Sequence, residues 1–288
     1  MENAYKETMF LLKKYNISAN KSLGQNFLIE DEVIEKTIEA ANIAKEDLVI
    51  EIGPGLGTLT NKLLKEAKKV IAVELDNRMV NILKQRFSMF NNLEILNEDV
   101  LKINLEQLIE NEKRQNSIKQ VKIVANLPYY ITTPIIMKLL EDKLNIESIT
   151  VMVQKEVAKR ISAKPGEKLT GAITYSVQYY CEVKEIIEVK RTSFIPAPEV
   201  ESEVIQLILR KNLEVEVKNE DTFFKLIRAS FMQRRKTLLN GIANSGLIEK
   251  EKLKCILEKL KIKENIRGEN LTLLQFAQIA NEMENLEY

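Results

Sequence analysis

Apolar positions follow two rhythms along the chain, and the change falls near residue 215. Before it, short apolar runs at 48–52, 70–74, 93–96, 121–125 and 148–153 alternate with stretches of helical spacing such as 59–67 and 79–87. Runs that are apolar throughout fit strands buried on both faces, and strand–helix alternation predicts a parallel sheet covered by helices on both sides. Ahead of these lie a helical pattern (Met9, Phe10, Leu12), a polar turn at 20–24, and an amphipathic helix over 31–44 with Val33, Ile34, Ile38 and Ala41 on one side. Two later β-rich runs, 181–189 and 204–209, have little helix between them and predict an antiparallel hairpin at the end of the sheet. The polar stretch 111–120 reads as a surface loop. Beyond residue 215 only helical spacing remains, over 223–239, 249–260 and 273–281. The pattern predicts an α/β domain over 1–212 and a small all-helical domain over 213–288.

Composition narrows the chemistry. The 288 residues are 45% hydrophobic and 30% charged, typical of a globular protein, and no apolar run is long enough to span a bilayer. A cytoplasmic protein with no membrane association is expected. Histidine is absent, which removes Ser-His-Asp and Cys-His hydrolases, imidazole acid–base catalysis and His-based metal sites. The two cysteines, Cys181 and Cys255, stand far apart and suggest neither a disulfide framework nor a zinc site, so no metal is expected. Any catalysis must use carboxylates, amides, backbone groups or an already reactive cofactor.

The segment Glu51-Ile52-Gly53-Pro54-Gly55-Leu56-Gly57 follows the first strand of the alternation and opens a helix. Glycines there permit a tight turn and close approach to a ligand, and by themselves they equally describe a tight strand–helix connection. Glu74 ends the next strand, about 20 residues on, where an acidic group accepts hydrogen bonds from a ribose diol. Pro54 removes a backbone donor that a pyrophosphate would need, so a nucleoside without phosphates suits this loop, and S-adenosylmethionine is one. The same feature disfavours a nicotinamide dehydrogenase. Asp99 follows the third strand and is placed to reach an adenine amine or to cap a turn.

Asn126-Leu127-Pro128-Tyr129-Tyr130 follows the fourth strand, at the carboxyl edge where open α/β sheets bind ligands. A proline turn with buried aromatics would look the same. Its chemistry also suits an aromatic amine, a poor nucleophile because its lone pair is delocalised into the ring. The Asn126 side-chain carbonyl and the Leu127 backbone carbonyl can accept its two N–H bonds, favouring the tetrahedral nitrogen that attacks a sulfonium methyl. Pro128 fixes the turn and Tyr129 can stack on the base. No general base is required before transfer.

Together these segments resemble the ribosomal RNA adenine N6-dimethyltransferases, in particular the bacterial small-subunit type. The resemblance spans roughly residues 15 to 280. It also rests on the segments 22–28, 130–134 (Tyr-Ile-Thr-Thr-Pro), 154–158, 194–198 (Phe-Ile-Pro-Ala-Pro), 234–238 (Arg-Arg-Lys-Thr-Leu) and 267–272 (Arg-Gly-Glu-Asn-Leu-Thr). It implies a Rossmann-like sheet of seven strands, the last antiparallel, and a helical domain after it. It also implies methyl transfer from S-adenosyl-L-methionine to two adjacent adenosines near the 3′ end of 16S rRNA during ribosome biogenesis, yielding N6,N6-dimethyladenosine. Carried onto this sequence, Asn26, Leu28, Gly53, Gly55, Glu74, Asp99 and Asn126 would contact the cofactor. Asn126, Leu127, Pro128, Tyr129 and Phe194 would hold the target, with Phe194 opposite Tyr129; without the resemblance Phe194 is a core phenylalanine before a proline turn. The implied partner is the small-subunit rRNA of an immature 30S subunit, bound by a monomer. Two departures lie where RNA would pass: Glu199 stands where the family has a basic residue, and 169–173 lacks the expected aromatic and arginine.

RNA binding has a candidate surface. Net charge is only +1, yet no acidic residue occurs over 222–248, where Lys225, Arg228, Arg234, Arg235 and Lys236 gather. Such a segment suits phosphates, or is a solvated helix face. Lys155, Lys159, Arg160, Lys164 and Lys168 form a second cluster, broken by Glu156 and Glu167. Chemistry on a base requires the adenine out of its stack, in a loop, a single strand or flipped. Two other roles fit the same fold: a large-subunit rRNA adenine dimethyltransferase of the resistance type, disfavoured by Leu127, Pro134 and 267–272, and a non-catalytic ribosome-assembly or nucleic-acid-binding factor, disfavoured by the intact tetrapeptide and Glu74.

Overall fold

The computed structural model describes residues 3–286 other than Arg234, with only the backbone described at Lys21. Its elements run α1 (Ala4–Lys14), β1 (Phe27–Leu28), α2 (Asp31–Ala41), β2 (Leu48–Ile52), α3 (Thr60–Glu66), β3 (Lys69–Val73), α4 (Asn77–Arg86), β4 (Leu93–Leu96), α5 (Leu105–Asn116), β5 (Val121–Asn126), α6 (Thr132–Glu141), β6 (Ser148–Gln154) and α7 (Lys155–Ser162). They continue with α8 (Ala172–Tyr180), β7 (Cys181–Val189), β8 (Phe194–Ile195), β9 (Ser202–Leu209), α9 (Glu220–Met232), α10 (Leu238–Ser245), α11 (Lys250–Lys259) and α12 (Leu273–Leu286).

Seven strands form one sheet in the order β4-β3-β2-β5-β6-β9-β7. The pairs β3–β4, β2–β3, β2–β5 and β5–β6 are parallel, whereas β9 runs antiparallel to β6. The doubly covered sheet predicted from the apolar runs is therefore present, with the last strand reversed. All five residues of β2 are buried, including the acidic Glu51, as expected of a central strand covered on both faces. The chain leaves β2 toward β3 on one side and returns at β5 on the other, so a switch point opens at the carboxyl ends of these strands. A separate two-stranded ribbon pairs β1 with β8, setting Leu28 opposite Phe194.

The chain divides into two compact units: Met1–Ala158 with Val183–Leu209, and Lys159–Glu182 with Arg210–Tyr288. The second unit is a helical assembly around Tyr175, Tyr179, Phe223, Leu226 and Phe276. A linear boundary at 212/213 leaves α8 on the sheet side, yet Tyr175 and Tyr179 of α8 are buried against these aromatic rings. Tyr175 meets Phe276 edge-on at 4.7 Å, and its hydroxyl donates to Leu271 O at 2.6 Å, fixing the 267–272 segment. Segregated burial of the α8 tyrosines pulls this piece of chain into the helical unit.

Two local expectations change. The loop expected over 111–120 is helical as far as Asn116, where Ser117 takes a left-handed conformation (φ 48°) and stops α5. Its polar residues serve the helix: Glu110 pairs with Arg114, Asn116 donates to Glu112, and buried Glu112 binds Lys69 at 2.6 Å. The single helix expected over 223–239 is two helices. α9 ends before Gln233 leaves helical geometry, and Thr237 caps α10 by accepting from the Asn240 N–H.

Candidate functional site

Parallel strands deliver the ends of β2, β3, β4 and β5 to one edge of the sheet, and a cleft enclosing about 1080 Å³ of atom-free space, partly open to solvent, lies there. Asn26, Leu28, Gly53, Gly55, Glu74, Asp99 and the whole Asn126–Tyr129 tetrapeptide line it. One cleft thus gathers residues spread over a hundred positions of sequence. A family-derived residue outside its wall is Phe194. That ring is 3% exposed and belongs to the apolar cluster that includes Leu28 and Val189. Its strand, β8, pairs with β1 and sets it opposite Leu28.

The glycine turn and Glu74 are built around each other. The Gly55 N–H donates to Glu74 Oε2 at 3.0 Å, and the Asp76 N–H donates to Oε1 at 2.8 Å. Gly55 can present that N–H because its φ of +57° suits a residue without a β-carbon. Gly57 has a different role: a β-carbon there would lie 2.5 Å from the Phe87 ring, so its absence lets the turn close onto α4. Burial raises the Glu74 pKa, and the two backbone N–H bonds oppose that rise. Each carboxylate oxygen keeps a lone pair that these bonds do not use.

Other groups hold the walls in place. Asp76 binds Arg78 through both oxygens, at 3.0 and 2.6 Å, and accepts from Gln25 Nε2 at 2.9 Å, which ties the 20–28 segment to the end of β3. The Arg78 and Gln25 bonds keep its carboxyl below the usual carboxylate range. Arg86 donates to Leu56 O in the glycine turn and to Glu7 of α1, both at 2.5 Å. Glu51 is 1% exposed, lines the cleft from below, and accepts the Thr60 hydroxyl at 2.6 Å. Burial pushes its carboxyl up to about 8. Sequence reasoning passed over Gln25, Glu51, Asp76 and Arg86. Glu51, inside an otherwise apolar strand, was the visible signal among them.

The tetrapeptide is pinned by two strands and by the segment that leads into β1. The Asn126 amide donates to Asn26 O at 3.2 Å, the Leu127 N–H donates to Met152 O of β6 at 3.2 Å, and the Tyr129 hydroxyl lies 2.5 Å from Ser202 Oγ at the start of β9. Pro128 O accepts from Ile131 N–H and the Thr132 hydroxyl, closing the turn into α6. Among the described residues no donor meets Asn126 Oδ1 or Leu127 O. Asn126 and Leu127 both line the cleft, beside a ring whose hydroxyl is held. Asp99 Oδ1 accepts from the Leu101 N–H at 3.0 Å, so this side chain does cap a turn, and the residue lines the cleft.

In the helical unit, Lys225 pairs with Asp221 one turn earlier at 2.6 Å, and Arg235 and Lys236 are exposed just before α10. Arg228 lies on α9, and Arg234 lies outside the described residues. In the second cluster Lys155 is committed to Glu188 and Glu201, at 2.7 and 3.3 Å. The Glu199 backbone carbonyl accepts from Arg191.

A seven-stranded sheet with its last strand reversed, a glycine turn, an acidic residue ending the next strand and an Asn-Leu-Pro-Tyr wall define a Rossmann-like methyltransferase. Residues 16–285 match the family described as ribosomal RNA adenine dimethylase, and the chain belongs to it. Among similar proteins, the ribosomal RNA small subunit methyltransferase A of Lachnoclostridium phytofermentans is 50% identical, with 96% of this chain and 95% of that one covered. The protein of the same name from Clostridioides difficile is 46% identical over 97% and 94%. The crystal structure of a dimethyladenosine transferase from Plasmodium falciparum is 30% identical and superposes with a TM-score of 0.76, covering 90% of this chain and 97% of that one.

Proposed function

We propose that this chain transfers methyl groups from S-adenosyl-L-methionine to N6 of two adjacent adenosines near the 3′ end of 16S rRNA, giving N6,N6-dimethyladenosine during ribosome biogenesis. The observation that carries it is a single cleft that gathers the glycine turn, Glu74 and the Asn126–Tyr129 tetrapeptide, in which Asn126 Oδ1 and Leu127 O have no donor among the described residues. Membership of the family and the printed names of the relatives support the rRNA substrate and the small-subunit site over the large-subunit alternative. A purely non-catalytic assembly role would leave those two acceptors without purpose.

The cleft suits the donor. Glu74 has lone pairs left for a ribose diol, Asp99 one for the adenine amine, and the turn around Pro54 offers too few N–H groups for a pyrophosphate. Asn26, Leu28, Gly53 and Gly55 complete its walls. When bound, S-adenosylmethionine supplies an electrophilic methyl on a sulfonium. Asn126 and Leu127 accept the two N6–H bonds and draw the nitrogen toward a tetrahedral form, restoring its lone pair for attack. With the methyl donor bound, Asn126 and Leu127 would hold N6 for attack on the methyl carbon, the thioether would be the leaving group, and the extra N6 proton would pass to solvent. Pro128 fixes the turn, and Tyr129 stacks on a base held out of its helix. Phe194 flanks the target on the side opposite Tyr129, on a strand paired with β1. No metal enters this scheme.

RNA anchoring falls to the helical region assigned to 213–288, through Lys225, Arg228, Arg234, Arg235 and Lys236 against phosphates, while 1–212 carries the chemistry. The partner is the rRNA of an immature 30S subunit, met by a monomer in the cytoplasm; among the described residues no helix is long and apolar enough to cross a membrane. The test is incubation with labelled S-adenosylmethionine and unmethylated small subunits, followed by digestion to nucleosides. Label should appear in dimethyladenosine at two adjacent positions; its absence there rejects the assignment.

A further inference from the structure

Helix α1 has two unlike faces. Ala4, Thr8 and Leu11 are buried, and Leu11 packs with Phe27 and Leu56, two residues that line the cofactor cleft from its inner side. The outer face carries Tyr5, Lys6, Met9, Phe10, Lys13 and Lys14, all exposed to solvent. Tyr5 is 48% exposed and Phe10 59%; among the described residues the one other aromatic ring so exposed is Tyr130, next to the tetrapeptide, at 58%.

Charge on this face has one sign. The helix holds one acid, Glu7, whose carboxylate is paired with Arg86, leaving three lysines unmatched within the helix. Asp31 of α2 meets the first turn, so the positive charge is concentrated toward the C-terminal end, at Lys13 and Lys14. Lys14 stands 5.9 Å from the centre of the Phe10 ring and 5.1 Å from that of Tyr15, so cation and rings are interleaved. The helix is also fixed in place: its first turn donates to Asp31 and its middle is held by the Glu7–Arg86 pair, which bonds in turn to Leu56 O.

Exposed rings between lysines, on a helix pinned to the cleft wall, match what single-stranded nucleic acid requires: stacking for bases and cations for phosphates. We infer that the outer face of α1 is an RNA-contacting surface, with Tyr5 and Phe10 stacking on unpaired bases and Lys6, Lys13 and Lys14 meeting phosphates. This extends the rRNA assignment above and rests on it, adding a contact in the sheet unit to the anchoring ascribed to the helical one.

The test compares the full-length protein with two variants, Phe10→Ala and the triple change Lys6→Ala, Lys13→Ala and Lys14→Ala, in binding unmethylated small subunits over a range of salt. Phe10→Ala should weaken binding roughly 5- to 100-fold. The triple variant should lower the slope of log affinity against log salt by about one per lysine, and arginine at the three positions should restore it. Thermal midpoints and S-adenosylhomocysteine affinity should stay at wild-type values. Unchanged affinity and slope in both variants overturns the inference. So does a wild-type dimer, or anionic-vesicle binding, that is lost on Phe10→Ala while RNA binding persists. Failure of the dimethylation assignment looks different: the wild type then makes no dimethyladenosine, whatever the variants bind.

Discussion

The cleft and the basic segment of the helical unit handle polar groups in opposite ways. In the cleft, polar atoms are buried or half-buried and bonded to partners distant in sequence: Glu74 to the Gly55 N–H, Gln25 to Asp76, Asn126 to Asn26. On the helical unit Lys225, Arg228, Arg235 and Lys236 are exposed, and Lys225 finds its partner one helical turn away. A methyl transfer needs acceptors fixed before the substrate arrives, because stabilisation of developing charge depends on geometry that costs nothing to reorganise. Holding a polyanion needs positive charge in the right region, and side-chain freedom does little harm. Changes in the first region should therefore act on rate or on cofactor binding in a position-specific way, and changes in the second should act additively on RNA affinity.

The largest effect that would expose this difference is at Asn126. Replacing it with alanine removes one acceptor and one bond to Asn26 O, and single-turnover transfer should fall by at least about 10²-fold while the thermal midpoint hardly moves. Near-normal transfer would mean that the amine acceptor lies elsewhere. Next is Glu74→Gln, which keeps one acceptor but loses the charge and offers an N–H where Gly55 or Asp76 already donates. Affinity for S-adenosylhomocysteine, measured by calorimetry, should drop roughly 10- to 100-fold. RNA affinity should be unaffected. Below both stands the joint change Arg235→Ala and Lys236→Ala: rRNA binding weakens roughly tenfold at moderate salt, the salt slope falls by about two, and cofactor affinity is unaltered. If this pair instead slowed single-turnover transfer at saturating RNA, the division of labour between the regions would be wrong.

Sequence made the cleft legible because its parts sit where strands end, and strand ends are marked by a change from apolar run to Gly, Pro, Asn or Asp. Gly53, Glu74, Asp99 and Asn126 could each be placed that way before any fold was known. What escaped notice were bonds between residues far apart in the chain, such as Arg86 to Leu56 and Glu7, or Tyr129 to Ser202, since no local pattern encodes them. Phe194 shows the same limit from the other direction. Its neighbours give a motif, but nothing local encodes its pairing with Leu28 or its burial. The polar run 111–120 predicts a loop because helical periodicity weakens where charged side chains satisfy each other instead of a core. Helix α8 joined the helical unit through tyrosines that strand-and-helix counting leaves unassigned.

Glu51 gives the smallest expected change in activity and the sharpest separation of folding from function. Its carboxyl lies on the central strand, with the Thr60 hydroxyl from α3 donating to it, the Glu74 carboxylate nearby on the β3 side and the Arg86 guanidinium on α4. Burial dominates, with the Glu74 charge acting in the same direction, and the carboxyl titrates near about 8 instead of the ordinary 4.5. Between those values the native state holds one proton that the unfolded chain has lost, so unfolding becomes easier as pH rises through this window and levels off above it. Neutral glutamine in its place keeps an acceptor for Thr60 and carries no charge at any pH. Glu51→Gln should thus melt close to the wild type near pH 5 and at a progressively higher temperature than the wild type up to pH 9, a divergence on the order of a few kcal/mol. Transfer at pH 7 should barely change, because Glu51 is then mostly protonated and the substituted side chain imitates that form. Melting curves that run parallel across the whole range would show that the buried carboxyl ionises as an ordinary one does, with Arg86 compensating its charge.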